Sequence, residues 1–199
     1  MAQALSIDPR STAIVLIDLQ HSNVGRQLAP HSAADVVARS VRARCAARSG
    51  LGARSCSCAS MSRALSLPAD APLRPRDAPA PPPQASDLVP ECNVQAGDLV
   101  VTKRQWGAFY GTDLEQQLRR RHINTIALTG IATNFGVEST ARAAFDQGYE
   151  LIFIEDAMSG LSGETHAFPI EHIFPRMGFV RSTEEFISAV AETGAFGGA

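Results

Sequence analysis

The sequence predicts an α/β fold of three layers, in which helices cover both faces of a mostly parallel, Rossmann-like sheet. Short apolar runs rich in β-branched residues recur along the chain, and such runs are typical of strands buried on both faces. Between them lie segments with apolar residues at helical spacing. This alternation favours parallel strands joined by right-handed crossovers. With 199 residues, the chain is long enough for one such domain with a sizeable core.

The predicted strands are four short segments. They cover residues 12–18, 98–102, 125–129 and 150–155. The first ends in a carboxylate, Asp18, and Gly130 follows the third.

The predicted helices alternate with these strands. The first covers residues 33–47, and the second begins at Thr112, with Glu115 three residues later as in a capping box. The third has apolar or small residues at helical spacing over residues 137–145 and ends at Gly148. The last begins with the capping-box pattern STEE at residues 182–185.

Composition excludes several classes of protein. The formal net charge is −2, whereas dedicated nucleic-acid binders usually carry a basic excess. No apolar run approaches the roughly 18–20 residues that cross a bilayer, and the first residues do not resemble a secretory signal. The four cysteines form no spaced framework, which favours a reducing compartment. We therefore expect a cytoplasmic protein without nucleic-acid or membrane partners.

Polar groups and glycines follow the predicted strands. Asp18 follows the first strand and Lys103 the second, while residues 130–136 link the third strand to a helix. Ligands of open parallel sheets bind outside the carboxyl ends of the strands. Asp18 alone could be a cap and Lys103 alone a solvated charge. Together with the loop at residues 130–136, they predict a small-molecule site at one edge of the sheet.

Five motifs resemble the isochorismatase-like superfamily, also called the cysteine hydrolase family. They are IVLIDLQ (14–20), VTKR with FYGTDL (101–104 and 109–114), TGIATNFGVESTAR (129–142), EDA (155–157) and IFPR (173–176). The resemblance covers residues 12–41 and about 88–190. It implies the same three-layer fold and a hydrolase activity.

The family's usual catalytic triad is Asp, Lys and Cys, and the resemblance carries over the first two as Asp18 and Lys103. The cysteine position falls on Gly136. Because glycine cannot form a thioester, amide hydrolysis by the family's covalent route is not expected. Isochorismatase itself lacks that cysteine: its Asp is taken to protonate a vinyl ether, and water then attacks.

The resemblance also implies a cis peptide bond between Ile131 and Ala132 beside a helix N-terminus. The amides of Ala132 and Gly136 would then be the oxyanion donors. Asn134 is expected at the substrate site, where it would organise the turn and cap the helix together with Thr133.

Three aromatic residues follow Lys103, namely Trp106, Phe109 and Tyr110. Small-ligand sites favour aromatic walls, so these residues are candidates for binding substrate. Ordinary packing in the core is the alternative.

No metal site and no cofactor are predicted. The nicotinamidase branch binds zinc through an Asp and two His residues after the first strand, but no Asp-x-His pair occurs beside His21 and His31. His166 and His172 are six residues apart, a poor spacing for one metal ion, and are expected to be surface or core residues.

The chain is predicted to form a single domain, residues 1–199, with an anomalous segment at about 43–67 and a Pro-rich linker at 68–86. The family's second strand is expected here, yet residues 54–60 read RSCSCAS. Written in GC-rich codons and read in another frame, they encode the apolar run VVLVRV. We therefore expect a frame-shifted segment, and the sheet would lack a central strand. The alternative is an Arg-rich insertion that binds an anion.

The expected function is hydrolysis of a small organic molecule, a vinyl ether or a related compound, by general acid–base chemistry of Asp18. The alternative is a binding protein that kept the pocket and lost catalysis. Because members of the family usually associate, we also expect a homo-oligomer.

Overall fold

The computed structural model of the protein describes residues 5, 7–8, 10–51, 54–60 and 79–196. Its centre is a six-stranded sheet in the order β3-β2-β1-β4-β5-β6, and each neighbouring pair is parallel. The strands are β1 (Thr12–Ile17), β2 (Arg54–Ser60), β3 (Leu99–Lys103), β4 (Thr125–Ile131), β5 (Glu150–Ser159) and β6 (Gly178–Arg181). The predicted α/β fold with a mostly parallel sheet is confirmed.

Helices lie on both faces of this sheet. They are α1 (His21–Val24), α2 (Ala33–Leu51), α3 (Leu114–Arg120), α4 (Glu138–Asp146), α5 (Gly163–Phe168) and α6 (Thr183–Phe196). Short 3₁₀ turns occupy Pro83–Ser86, Pro90–Cys92 and Phe174–Arg176, and π-helical turns occupy Thr133–Val137 and Pro169–Ile173. Within the described part of the chain, no helix is both long and apolar enough to cross a bilayer.

Strand β1 is the centre of the core because all six of its side chains are buried. Successive side chains of a strand point to opposite faces. Val15 and Ile17 pack on one face with side chains from α3 and α4, and Ile14 and Leu16 pack on the other with side chains from α2 and α6. A continuous apolar run is therefore required here, since neither face of β1 meets water.

The predicted elements agree with the structure except near their ends. Strands β4 and β5 continue beyond the predicted residues, to Ile131 and Ser159. Before α6, the amide of Glu185 donates to Ser182 Oγ and the amide of Ser182 donates to the Glu185 carboxylate, which confirms this capping box. Helix α3 begins at Leu114, whose amide donates to Thr112 Oγ1.

The expectation that the sheet lacks a central strand is wrong. Residues Arg54–Ser60 form β2, which pairs with β1 on one side and β3 on the other. A strand lies inside a sheet when its backbone pairs with a strand on each side. Polar side chains do not prevent this pairing. Residues 52–53 and 61–78 of the anomalous segment and linker lie outside the described residues. The frame shift stays a prediction that the nucleotide sequence tests.

Gly130→Ala is expected to lower the free energy of unfolding by more than about 3 kcal/mol. Gly130 has φ +120°, and a methyl group placed there would lie 2.1 Å from the carbonyl oxygen of Ile17 on the paired strand. Urea unfolding measures the loss. Gly97→Ala is the matched control, because Gly97 also has positive φ (+93°) but nothing within 4 Å of the new methyl group. Equal losses in the two variants would contradict the steric argument.

Candidate active site

A buried ion pair joins the carboxyl ends of β1 and β3. Lys103 Nζ donates to Asp18 Oδ2 at 2.7 Å, and the Lys103 side chain is completely buried. The same ammonium donates to the carbonyl oxygens of Gln105 (3.2 Å) and Trp106 (2.8 Å). These acceptors surround a cation that would otherwise be costly to bury. The two residues predicted from the strand ends are therefore in contact.

The backbone changes direction at Asp18, immediately after β1. Its φ is +53°, in the left-handed region that Asp tolerates better than most residues. Asn23 Nδ2 donates to the Asp18 carbonyl oxygen at 3.2 Å, so this turn is held by the following short helix α1. The strand ends here, and the carboxylate lies at the edge of the sheet beside Lys103.

Gly136 lies opposite the Asp18 carboxylate, in the turn between β4 and α4. A methyl group placed on Gly136 would lie 2.9 Å from Asp18 Oδ2 and 3.4 Å from the Trp106 carbonyl oxygen. Thr140 holds this position: its hydroxyl donates to the Gly136 carbonyl oxygen at 2.6 Å and accepts from the Ala108 amide at 3.1 Å. Any side chain at residue 136 would thus point toward the ion pair.

The turn after β4 begins with the predicted cis peptide bond between Ile131 and Ala132. The amides of Phe135 and Val137 then donate to the Ala132 carbonyl oxygen, at 3.1 and 3.3 Å. Asn134 Oδ1 is buried and has no hydrogen-bond partner among the described residues. Because a buried acceptor is rarely left unpaired, Asn134 is suited to accept a hydrogen bond from a bound molecule.

The three predicted aromatic residues lie in different environments. Trp106 is about half exposed, its carbonyl accepts from Lys103, and its ring packs edge-to-face on Phe135 with centroids 4.9 Å apart. Tyr110 is 77% exposed. Phe109 is a buried core residue beside Tyr149, which agrees with the alternative of ordinary packing. No pattern in the sequence distinguishes Phe135 as a neighbour of Trp106.

A second polar cluster lies at the same edge of the sheet. Nε2 of His31 and Nε2 of His166 are 3.9 and 4.0 Å from Glu155 Oε2. Nδ1 of His166 is 2.8 Å from the hydroxyl of Thr133, in the turn that carries Gly136. No metal site was predicted from the sequence, because His31 lies more than 100 positions before Glu155 and His166 and no local spacing joins the three. His172 instead contacts Phe168 and Glu171.

Burial shifts the pKa values of His166 and Glu155 toward their neutral forms. Desolvation, together with nearby His31, lowers the pKa of His166 to about 4, so its ring is neutral at pH 7. Desolvation and the neighbouring Asp156 carboxylate raise the pKa of Glu155, although His31 and Arg39 partly oppose this. The neutral ring of His166 keeps a nitrogen lone pair available to an electrophile.

The buried thiol of Cys92 does not belong to the site. Its Sγ lies in the core 3.7 Å from the Leu19 carbonyl oxygen, and burial raises its pKa to about 11. A thiol with such a pKa is protonated at pH 7 and is a poor nucleophile.

Comparison with known proteins identifies the protein family of this chain. The family model described as the isochorismatase domain matches residues 12–185, and the chain belongs to the isochorismatase family.

Two related proteins and one solved structure are similar to this chain over matched regions of different length. Isochorismatase family protein YecD of Escherichia coli O157:H7 is 42% identical over 198 residues, which cover 94% of this chain and 100% of YecD. Isochorismatase family protein YwoC of Bacillus subtilis is 62% identical over 109 residues, so the match spans 55% of this chain and only 58% of YwoC. An isochorismatase family protein from Burkholderia thailandensis has a TM-score of 0.87 and 38% identity, covering 94% of this chain and 99% of that one.

Lys103→Met is expected to lower the free energy of unfolding at pH 7 by about 3–5 kcal/mol, because it removes the ammonium that balances the charge of the buried Asp18 carboxylate. Without the ammonium, folding favours the protonated carboxyl group. The variant should therefore regain stability relative to the wild type as the pH falls, and lose it as the pH rises. Urea unfolding between pH 4 and pH 8 measures this.

The double variant Asp18→Asn/Lys103→Met is the control, since it carries neither charge. Its deficit relative to the wild type should vary less with pH than that of Lys103→Met. A deficit in Lys103→Met that is constant over the pH range would show that the ion pair is not what stabilises this edge.

Proposed function

We propose that the protein is a hydrolase without a thiol nucleophile, and that it acts on a small organic molecule containing a vinyl ether or a related acid-labile group. One observation supports the proposal: the buried Asp18 carboxylate faces Gly136, the position that the sequence resemblance matches to the cysteine of the family's amidase branches. The site thus combines a proton donor and acceptor with a cation, but no nucleophilic side chain at residue 136. A reaction that needs only proton transfer and the attack of water suits a site with these groups.

In the proposed reaction, Asp18 in its protonated form donates to the terminal carbon of the vinyl ether. The electron pair of the C=C bond forms the new C–H bond, and the adjacent carbon becomes an oxocarbenium ion. Water adds to that carbon and returns a proton to the Asp18 carboxylate. The hemiketal then breaks its C–O bond, giving a ketone and an alcohol. General acid–base catalysis of this kind contributes roughly 10²–10⁴-fold in rate.

The surrounding groups are proposed to bind and orient the substrate. Lys103 stabilises the Asp18 carboxylate after proton transfer, since an ammonium 2.7 Å away favours the charged form. The amides of Ala132 and Gly136 are proposed to donate to a substrate oxygen, and the unpaired Asn134 Oδ1 to accept from a substrate O–H or N–H group. The exposed ring of Trp106 is proposed to cover the bound molecule.

The alternative is a binding protein that recognises the same small molecules without turning them over. The absence of a side chain at Gly136 favours it, because the space facing Asp18 could simply hold part of a ligand.

Asp18→Asn distinguishes the two functions. Purified wild type is screened against small organic acids and ethers, including isochorismate, with turnover and binding measured separately. For a hydrolase, Asp18→Asn should lower kcat by about 10²–10⁴-fold and change the ligand Kd far less. Asp146→Asn, at an exposed position of α4, is the matched control and should keep the wild-type kcat. Ligand binding by the wild type without turnover would favour the binding protein.

Gly136→Cys is expected to create a thiol that iodoacetamide alkylates near neutral pH faster than Cys45, an exposed native cysteine. The new side chain would lie beside the ion pair and at the start of α4, two features that lower the pKa of a thiol. Asp18 can accept the thiol proton after a shift of a few tenths of an ångström. Mass spectrometry of alkylated peptides gives both rates.

Adding Asp18→Asn to Gly136→Cys should slow the alkylation, since the proton acceptor is then lost. A thiol at residue 136 that reacts no faster than Cys45 would contradict the proposed correspondence with the family's cysteine.

Self-association and a cytoplasmic location are further parts of the proposal. Four aromatic side chains, Trp106, Tyr110, Phe145 and Phe168, are each about half exposed or more, and their partial burial between subunits would be favourable. Light scattering at micromolar concentration should give the mass of a dimer or larger assembly, and the mass of a single chain would contradict this part.

A further inference from the structure

We propose that His31, Glu155 and His166 bind one divalent first-row transition-metal ion, with Zn²⁺ as the best fit. Their ligand atoms all lie within 4.8 Å of one another. Each residue comes from a different segment: His31 from the loop before α2, Glu155 from β5 and His166 from α5. The site is separate from the Asp18–Lys103 pair, which uses none of these three side chains.

The donor set selects the class of metal. Two imidazole nitrogens and one carboxylate oxygen suit Zn²⁺ and neighbouring transition metals, whereas Mg²⁺ and Ca²⁺ prefer oxygen ligands alone. Tetrahedral Zn²⁺ with bonds of about 2.0–2.2 Å places its ligand atoms roughly 3.3–3.5 Å apart. The two His–Glu155 distances, 3.9 and 4.0 Å, are a little longer. Small movements of the partly exposed Glu155 and His31 side chains would bring the three ligand atoms, now within 4.8 Å of one another, to this spacing.

The backbone around Glu155 departs from regular strand geometry. Between the pairs Leu128–Phe153 and Gly130–Met158, one residue of β4 faces four residues of β5, so β5 bulges at residues 154–157. Bulges of this kind redirect side chains at the ends of sheets. Glu155 lies in this bulge and is therefore displaced from the regular pleat of the strand.

The two histidines are held by contacts outside the donor set. The hydroxyl of Thr133 lies 2.8 Å from Nδ1 of His166 and, as acceptor of the Nδ1 proton, leaves the Nε2 lone pair for the metal. The main chain of His31 is fixed to Ser159, whose hydroxyl donates to the His31 carbonyl oxygen at 2.8 Å. Such outer contacts are typical of protein metal sites, and removing one commonly weakens binding by about 10–100-fold.

Arg39 competes with the metal for His31. Its guanidinium can only donate, so the 3.1 Å contact makes His31 Nδ1 an acceptor and places the imidazole proton on Nε2. Metal binding at Nε2 requires this proton to move to Nδ1, and the contact with Arg39 is then lost. Arg39 keeps its hydrogen bond to the Asp156 carbonyl oxygen at 2.8 Å. A shorter or uncharged side chain at residue 39 should therefore strengthen metal binding.

The charge of the surroundings favours a cation. Glu155 and the Asp156 carboxylate provide two negative groups, and Arg39 provides one positive group, 3.7 Å from Asp156 Oδ2. These three groups together leave a net negative charge, and a divalent cation would more than balance it.

Three protein ligands leave at least one coordination position for water or for an anionic group of a ligand. Because His166 contacts Thr133, the bound metal would also fix the turn that carries Gly136.

Calorimetric titration of the EDTA-treated, desalted protein with ZnCl₂ tests the proposal. The wild type should bind one Zn²⁺ at this site, and Glu155→Gln and His166→Ala should each weaken that binding by more than the 10–100-fold expected on loss of an outer contact. Thr133→Val should weaken it by about 10–100-fold. Arg39→Met should strengthen it. Glu171→Gln and His172→Ala are matched controls on the neighbouring exposed segment and should bind as the wild type does.

Titration with CoCl₂ separates this site from binding by cysteine. Ligation by two His and one carboxylate gives visible Co²⁺ d–d absorption without the near-ultraviolet charge-transfer band of a thiolate ligand. Loss of the visible absorption in Glu155→Gln is the expected result. Undiminished metal binding in both Glu155→Gln and His166→Ala, a thiolate band in place of the expected spectrum, or no binding by the wild type would overturn the proposal.

Discussion

The buried contact between Lys103 and Asp18 is the interaction on which the candidate site depends. An ammonium group without exposure to water requires a nearby negative charge and further acceptors, and the structure supplies Asp18 and two carbonyl oxygens of the following loop. The pair thereby fixes the end of β1, the end of β3 and the loop to Trp106 relative to one another. Loss of one partner would leave a buried charge, so the pair constrains the fold as well as the chemistry.

The turn after β4 is the second constraint, because it approaches the ion pair from the opposite side. Close pairing of Gly130 with Ile17 brings β4 against β1, and Thr140 then ties Gly136 to the loop beyond Lys103. The space facing Asp18 is therefore bounded by backbone on several sides. In such a space, a side chain at residue 136 would lie against the Asp18 carboxylate.

The same edge of the sheet carries two polar centres with different character. The first is an ion pair between Lys103 and Asp18, and the second is a cluster in which burial favours the neutral imidazole of His166. Thr133 and Gly136 lie in one short turn, so the two centres share a structural element. This arrangement follows from parallel topology, which gathers the carboxyl ends of the strands and their loops at one edge.

The sequence by itself determined the fold class, the strand β1, and the placement of Asp18 and Lys103, because apolar runs and strand ends are local patterns. It did not determine that RSCSCAS would pair as a central strand, since pairing depends on the neighbours β1 and β3. Only the tertiary structure placed Phe109 in the core and His31, Glu155 and His166 together. His31 precedes Glu155 and His166 by more than 100 positions, and no spacing along the chain encodes such proximity.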